Sequence, residues 1–446
     1  GSVPANISAD LRRRFEEALL AAWTGAVEND GLNRLVLAAG LTARQTTVLR
    51  LYSKVLRQAG STFSQDYMEE VLARHAPIAR RLVELFEHRF DPARAGSPSL
   101  AALGEVQAID HALDGVESLD EDRILRSFLT LALKSVRTNY CQTLPGGQPK
   151  PALAVKFASS EIDLLPLPRP LFEIYVYSPR IEGVHMRAGK VARGGIRWSD
   201  RKEDFRTEIL GLMKAQTVKN AVIVPVGSKG GFVLKRPPAA RDQLMADGVE
   251  CYKILIRSLL DLTDNIVAEG GENGGRHDVV PPRQLVRHDG DDPYLVVAAD
   301  KGTASFSDLA NEISEEYGFW LGDAFASGGS AGYDHKEMGI TSRGAWELIK
   351  RHFRELERDI QNSDFTAVGV GDMSGDVFGN GMLQSRHTRL VAAFNHLHIF
   401  VDPNPDPATS FAERQRLFAL PRLSWADYDP KLISAGGGVF DRAAKS

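Results

Sequence analysis

The chain has 446 residues, 43% hydrophobic and 25% charged, with a formal net charge of −4; that is the composition of an ordinary globular protein of two to four domains, with no global basic field to recruit nucleic acid or an acidic membrane surface. Its two cysteines, Cys141 and Cys251, stand far apart with no CxxC or Cys/His spacing, which excludes a disulfide framework and a structural zinc site and points to a reducing cytoplasm. No N-terminal segment reads as a signal peptide and no run approaches the ~20 apolar residues of a membrane span, while Gly1-Ser2 reads as a remnant of expression on a piece of something longer.

From residue 8 to about 140 the apolar spacing is helical, as in Val48, Leu51, Tyr52, Val55, Leu56 and again in Ile78, Leu82, Leu85, Phe86, predicting an all-helical layer that gathers no nucleophiles, paired acids or metal ligands. The breaker cluster Leu144-Pro-Gly-Gly-Gln-Pro-Lys-Pro marks a boundary. Beyond it Phe172, Ile174 and Val176 alternate with Glu173, Tyr175 and Tyr177, the pattern of a half-buried strand. Arg193-Gly-Gly-Ile-Arg197 reads as a bend where the chain comes close to something small, followed by an amphipathic helix and a short strand, Ala221 to Val226, that delivers Lys229 into a glycine loop. A helix marked by Tyr252, Leu255, Leu259, Leu262 and Ile266 follows, then Gly270 to Gly275 as a surface loop, the strand Tyr294 to Ala299, a helix from Ala304 to Tyr317, and a helix marked by Trp346, Ile349, Phe353, Leu356 and Ile360. This alternation of strands and helices predicts an α/β region. The glycine-rich stretch Ser327 to Arg343 is expected to line a cleft between domains.

Several residues could carry chemistry. Lys229, with Lys219, Lys214 and Arg193 as expected like-charged neighbours, reads either as an amine held neutral near physiological pH or as a solvated loop lysine. A P-loop fails on spacing, since Gly230 follows the lysine. Asp300, at the end of an apolar strand, is either a site carboxylate or the N-cap of the next helix. A β-like run enters Gly369, Gly371, Asp372, Met373, Ser374 and Gly375 and then a helix, which suits a pyrophosphate at a helix start. The next strand ends near Asn395, with Asp402 farther on; an acid there takes ribose hydroxyls and favours NAD, and which of the two reaches the ribose stays open. His335, His387, His396 and His398 are scattered, so no metal is expected.

In these motifs the chain resembles the glutamate dehydrogenases, and specifically the large NAD-dependent bacterial type. Arg193-Gly-Gly-Ile-Arg197, Gln216-Thr-Val-Lys219-Asn-Ala221, Gly227-Ser-Lys229-Gly-Gly231 and Ala299-Asp300-Lys-Gly302 follow the family in order and spacing, while Glu28 to Val36, Gly195 to Asp200 and Gly371 to Gly379 look like the large class. The resemblance implies a helical layer over 1–145, an amino-acid-dehydrogenase-like α/β substrate domain over 146–350, and a partial Rossmann-type dinucleotide-binding domain over 351–446, short of a closed six-stranded sheet. It implies Lys229 as the lysine that activates water, Asp300 as the proton-transferring acid, and Lys219 on the α-carboxylate. Arg193, where the small enzymes commonly have lysine, falls on the side-chain carboxylate, with Lys214, Gly194 and Gly195 beside the substrate and Thr341 on the nicotinamide carboxamide. The implied reaction is reversible oxidative deamination of L-glutamate to 2-oxoglutarate and ammonia with NAD, in a dry interdomain cleft of a full-length homo-oligomer. A dehydrogenase for an apolar amino acid would share Lys229 and Asp300 but lack cations for a second carboxylate; a purely structural or oligomer-forming fragment is the remaining alternative.

Overall fold

The computed structural model describes residues 8–94, 98–219, 225–269, 276–303, 305–330, 332, 335–420 and 423–444, and it divides between Gly329 and Ser330 into two units. In the first unit the helical spacing becomes α1 (Ala9–Trp23), α2 (Leu35–Ala38), α3 (Ala43–Gln58), α4 (Gln65–Arg74), α5 (Ala76–Phe90), α6 (Pro98–Leu113) and α7 (Leu119–Lys134). Helix α3 starts where Thr42 and Gln45 satisfy each other's backbone amides in a capping box, and its residues Val48, Leu51, Tyr52 and Val55 are all buried. The helical layer ends earlier than the sequence suggests, because residues 135–138 already form a strand.

That strand, β1 (Ser135–Thr138), opens a sheet continued by β2 (Leu153–Phe157), β3 (Phe172–Tyr177), β4 (Ile181–Arg187), β5 (Ala192–Trp198) and β6 (Val226–Leu234). Helix α8 (Phe205–Lys219) joins the last two, α9 (Arg241–Leu260) follows, and a separate hairpin is built from β7 (Asn265–Glu269) and β8 (Arg276–Val280). Ile266, expected to close a helix, therefore lies in a strand. The sheet is completed by β9 (Val296–Ala299) and β10 (Ala326–Ser327), with α10 (Ser307–Glu316) between them, in the order β1-β2-β3-β4-β6-β5-β9-β10. It is antiparallel from β1 through the β4/β6 pair and parallel across β6, β5, β9 and β10.

Both faces of this sheet are covered. The helical layer and α8 share one core with Tyr175, Tyr177, Val184 and Met186, and α9 and α10 share the other with Ile174, Val176, Ile196 and Phe232. Strand β3 is consequently buried along its whole length rather than half-buried, since its polar-looking positions are tyrosines and an ion-paired Glu173. The Glu28 to Val36 motif ties the layers together. Asp30 accepts from Leu32 N at 3.1 Å and holds the fully buried Arg50, at 2.5 Å from Nε, while Glu28 pairs with Lys235 at the end of β6.

The second unit contains α11 (His335–Met338), α12 (Ile340–Glu355), β11 (Phe365–Val370), α13 (Asp376–Met382), β12 (Thr388–Phe394), β13 (His398–Val401), α14 (Pro407–Phe418) and β14 (Gly438–Asp441). The expected helix to Ile360 stops at Glu355. Strands β11 and β12 are parallel, joined through α13, whereas β13 and β14 add antiparallel, giving the order β11-β12-β13-β14. One face packs on Met373, Leu390, Phe400 and Trp425, with Trp425 stacked on Phe400 at 4.7 Å between ring centroids. On the other face the registered row Val370, Phe394, Ile399 and Phe440 remains exposed.

Candidate functional site

Strands β6, β5 and β9 lie side by side, and residues 193, 195 and 197 of β5 point to the same face as 227, 229 and 231 of β6 because registered residues of parallel strands share a side. Lys229 is therefore not in a glycine loop, and Arg193 to Arg197 is not a bend: both segments are extended, in the parallel part of the sheet. Their glycines serve strand packing. A Cβ on Gly194 would lie 1.7 Å from Ser228 O, one on Gly227 2.5 Å from Thr217 N of α8, and one on Gly231 2.3 Å from Ile209 Cδ1.

Lys229 and the residue after β9 are two strands apart, roughly 9–10 Å of sheet. Gly195 lies on β5 between them; a Cβ there would sit 2.8 Å from Ala299 O and 3.2 Å from Asp300 Cβ. Lys229 Nζ reaches Asp300 Oδ2 at 2.6 Å, with side chains only 13% and 19% exposed. Arg197 Nε meets the same carboxylate oxygen at 3.0 Å. Burial alone pushes the Asp300 carboxyl up, but hydrogen bonds from Arg197 and Lys229 outweigh it and hold the group down at about 2. Asp300 is no helix cap, since α10 begins at Ser307 after an uncapped Phe306. The charge nearest Lys229 is thus an anion, the opposite of the like-charged surroundings expected from sequence.

Arg193 and Lys214 are exposed. Lys219 ends α8, and its side chain lies outside the described residues, as do residues 221–224 of the expected strand, the loop 270–275, and part of the stretch 327–343. Three residues of the cluster escaped the sequence reading. Glu208, in the first turn of α8, accepts from Arg197 Nη1 at 2.9 Å and from Ser199 Oγ at 2.5 Å. Arg197 and Ser199 complete it; the signal for them is the period-two spacing of 193, 195 and 197, which the Gly-Gly pair between them masks.

In the second unit Gly369 and Gly371 are explained by packing: a Cβ on Gly369 would lie 2.3 Å from Phe378 Cε2, and Gly371 has φ +137°. Met373, expected to contact a cofactor, has its side chain fully buried in the core, which leaves its backbone for that role. Gly375 differs, with φ −75° and no atom nearer than 3.7 Å to an added Cβ, so nothing in the chain itself demands glycine there. Asp372 accepts from Ser374 N at 2.9 Å and from Asn395 Nδ2 at 2.7 Å; burial raises its carboxyl, and these bonds bring it below the usual range. Asn395 Oδ1 also accepts from Leu397 N and His398 N, closing the turn into β13. Asp402 is 0% exposed and accepts from Ser434 N and Oγ. Thr341 is exposed on α12. Among the described residues no group of three His, Cys, Asp or Glu could hold a metal, and no helix is long and apolar enough to cross a membrane.

Residues 108–446 match the family model described as bacterial NAD-glutamate dehydrogenase, catalytic domain, and residues 27–92 match glutamate dehydrogenase, helical motif 3. The chain is 60% identical over 442 residues to an NAD-specific glutamate dehydrogenase of Mycobacterium tuberculosis, covering 97% of this chain and 27% of that protein. It is 57% identical over 448 residues to the protein of the same name from Halomonas elongata, covering 100% and 27%. Among solved structures, Plasmodium falciparum glutamate dehydrogenase aligns with a TM-score of 0.41 at 12% identity, over 90% of this chain and 65% of that one. The chain thus spans about a quarter of the length of the relatives it matches.

Proposed function

The chain belongs to the family of bacterial NAD-glutamate dehydrogenase catalytic domains, and from that premise we propose that it is the catalytic region of an enzyme for the reversible, NAD-dependent oxidative deamination of L-glutamate to 2-oxoglutarate and ammonia. The observation that carries the reading is the 2.6 Å pair of Lys229 and Asp300 on the shared face of three parallel strands.

In this proposal the exposed Arg193 takes the side-chain carboxylate as a bidentate donor, with Lys214 adding positive charge, and Lys219 takes the α-carboxylate. Gly195 keeps β5 low enough for the substrate and the lysine to pass above it, and Gly194 borders the substrate through its backbone. NAD, when bound, supplies the hydride acceptor for the substrate Cα. Lys229 positions and deprotonates the water that adds to the resulting imine, and Asp300, an anion ready to accept, passes the proton toward the departing ammonia. Gly375, Ser374, Asp372 and Asn395 fit the polar edge of a dinucleotide, with Gly369 and Gly371 shaping the turn behind them, and Thr341 is assigned the nicotinamide carboxamide.

The test is glutamate-dependent NADH formation by the full-length protein carrying Lys229→Ala or Asp300→Asn. Each is expected to lower kcat by about 10²-fold or more with the fold retained; wild-type turnover in Lys229→Ala would overturn the assignment.

A further inference from the structure

Arg197 is shared. Its Nε and Nη2 face Asp300 at 3.0 and 3.4 Å, while Nη1 meets Glu208 at 2.9 Å. Glu208 is itself fixed by Ser199 Oγ at 2.5 Å and is 12% exposed. Together with Lys229 these side chains form a closed set of two cations and two anions. We propose that Glu208 is a positioning residue for the reaction proposed above: it draws off part of the Arg197 guanidinium and balances its charge, so that the Lys229–Asp300 pair can exchange a proton instead of being locked by a second cation.

Glu208 has little structural work of its own. Helix α8 is anchored nearby by Arg206, whose Nε and Nη2 bond both oxygens of Glu173 at 2.8 and 2.6 Å in full burial, and by Gln58, which bonds Arg206 N and Lys202 O. As a carboxylate in the first turn of α8, Glu208 adds only a small helix-dipole contribution. Among the described residues the other charges around the set are already committed or outside it. Arg201 pairs with Asp204 and Lys301 with Asp200, and the Lys301 amide donates to Asp300. Arg193, farther along β5, is exposed.

Removing one charge therefore has a sign. Glu208→Gln leaves the set with an extra positive charge, which favours deprotonation of both members of the pair. Arg197→Gln leaves it with an extra negative charge, which opposes deprotonation. The double variant is neutral again. The pH profile of kcat/KM for glutamate oxidation by the full-length protein is expected to move down by about one pH unit in Glu208→Gln and up in Arg197→Gln, and to return toward wild type in the double variant. A residue with only a structural role lowers activity without this order.

The same order is expected in the pH midpoint for modification of Lys229 by trinitrobenzenesulfonate in the 446-residue chain, read by peptide mass. That readout separates the two proposals. Ordered midpoints without glutamate turnover leave the positioning role intact and remove the reaction; turnover that depends on Lys229, with midpoints unmoved by Glu208→Gln in a sample of unchanged thermal stability, overturns the role of Glu208.

Discussion

At the level of single residues, the glycines separate into those the fold needs and those it does not. Gly195 belongs to the first kind. An alanine there would press its Cβ against Ala299 O and Asp300 Cβ, at 2.8 and 3.2 Å, so β5 and β9 must part just where Lys229 crosses. Gly195→Ala is expected to cost about 1–3 kcal/mol of stability in denaturant unfolding, and to cut kcat more than it raises KM, because the lysine loses its partner. Gly375 is of the second kind. Gly375→Ala is expected to leave stability within about 0.5 kcal/mol of wild type while weakening NAD binding measured by NADH fluorescence; unchanged binding would remove Gly375 from the cofactor assignment. Sequence alone could not make this division. The same Gly-Gly pairs that signal turns elsewhere lie here in extended strands, because helix α8 and the neighbouring strand press on them from both sides. Lys229 and Asp300 were legible as chemistry-bearing residues; their salt bridge, and the Glu208 and Arg197 that complete it, depend on a strand order that no local pattern encodes.

At the level of elements, α8 links the helical layer to the strands of the catalytic pair. Its start is held by the Arg206–Glu173 pair, 0% and 1% exposed, reaching across to β3. A buried charge stripped of its partner costs far more than the pair contributes when intact. Arg206→Ala is therefore expected to destabilise the chain by about 3–5 kcal/mol in urea unfolding, and Arg206→Ala with Glu173→Leu to recover much of that loss, since the stranded carboxylate is gone. A double variant as unstable as the single one would show that Arg206 acts through packing rather than through charge. The strands of the sheet were partly readable from alternation, as at Phe172 to Tyr177, but their burial was not: alternation reports one covered face, and here helices cover both. In the second unit the βαβ start was legible from Thr366 to Phe394, whereas the antiparallel addition of β13 and β14 was not, because a strand's direction is set by its connection and pairing, not by its composition.

At the level of the whole molecule, a breaker cluster and a change of periodicity place a boundary near residue 145, and the family resemblance places another near 350. The physical division is different in kind. Leu49, Tyr52, Phe86 and Phe128 of the helical layer are buried together with Val155, Tyr175 and Met186 of the sheet, so the helices have no core to themselves, and the breaker cluster at Leu144 to Pro151 is a loop within one unit. The unit border lies between Gly329 and Ser330. A segment that shares its core with another cannot be released without exposing that core, whereas two units with separate cores can part at the connection between them. Limited proteolysis of the folded 446-residue chain is therefore expected to cut first near residue 330, giving fragments that end and begin there by mass spectrometry. Cleavage in 139–151 should leave the two halves associated on gel filtration until denaturant is added. Early release of a soluble, cooperatively folding fragment ending near 145 would show instead that the helical layer is a domain in its own right, and would restore the boundary read from the sequence.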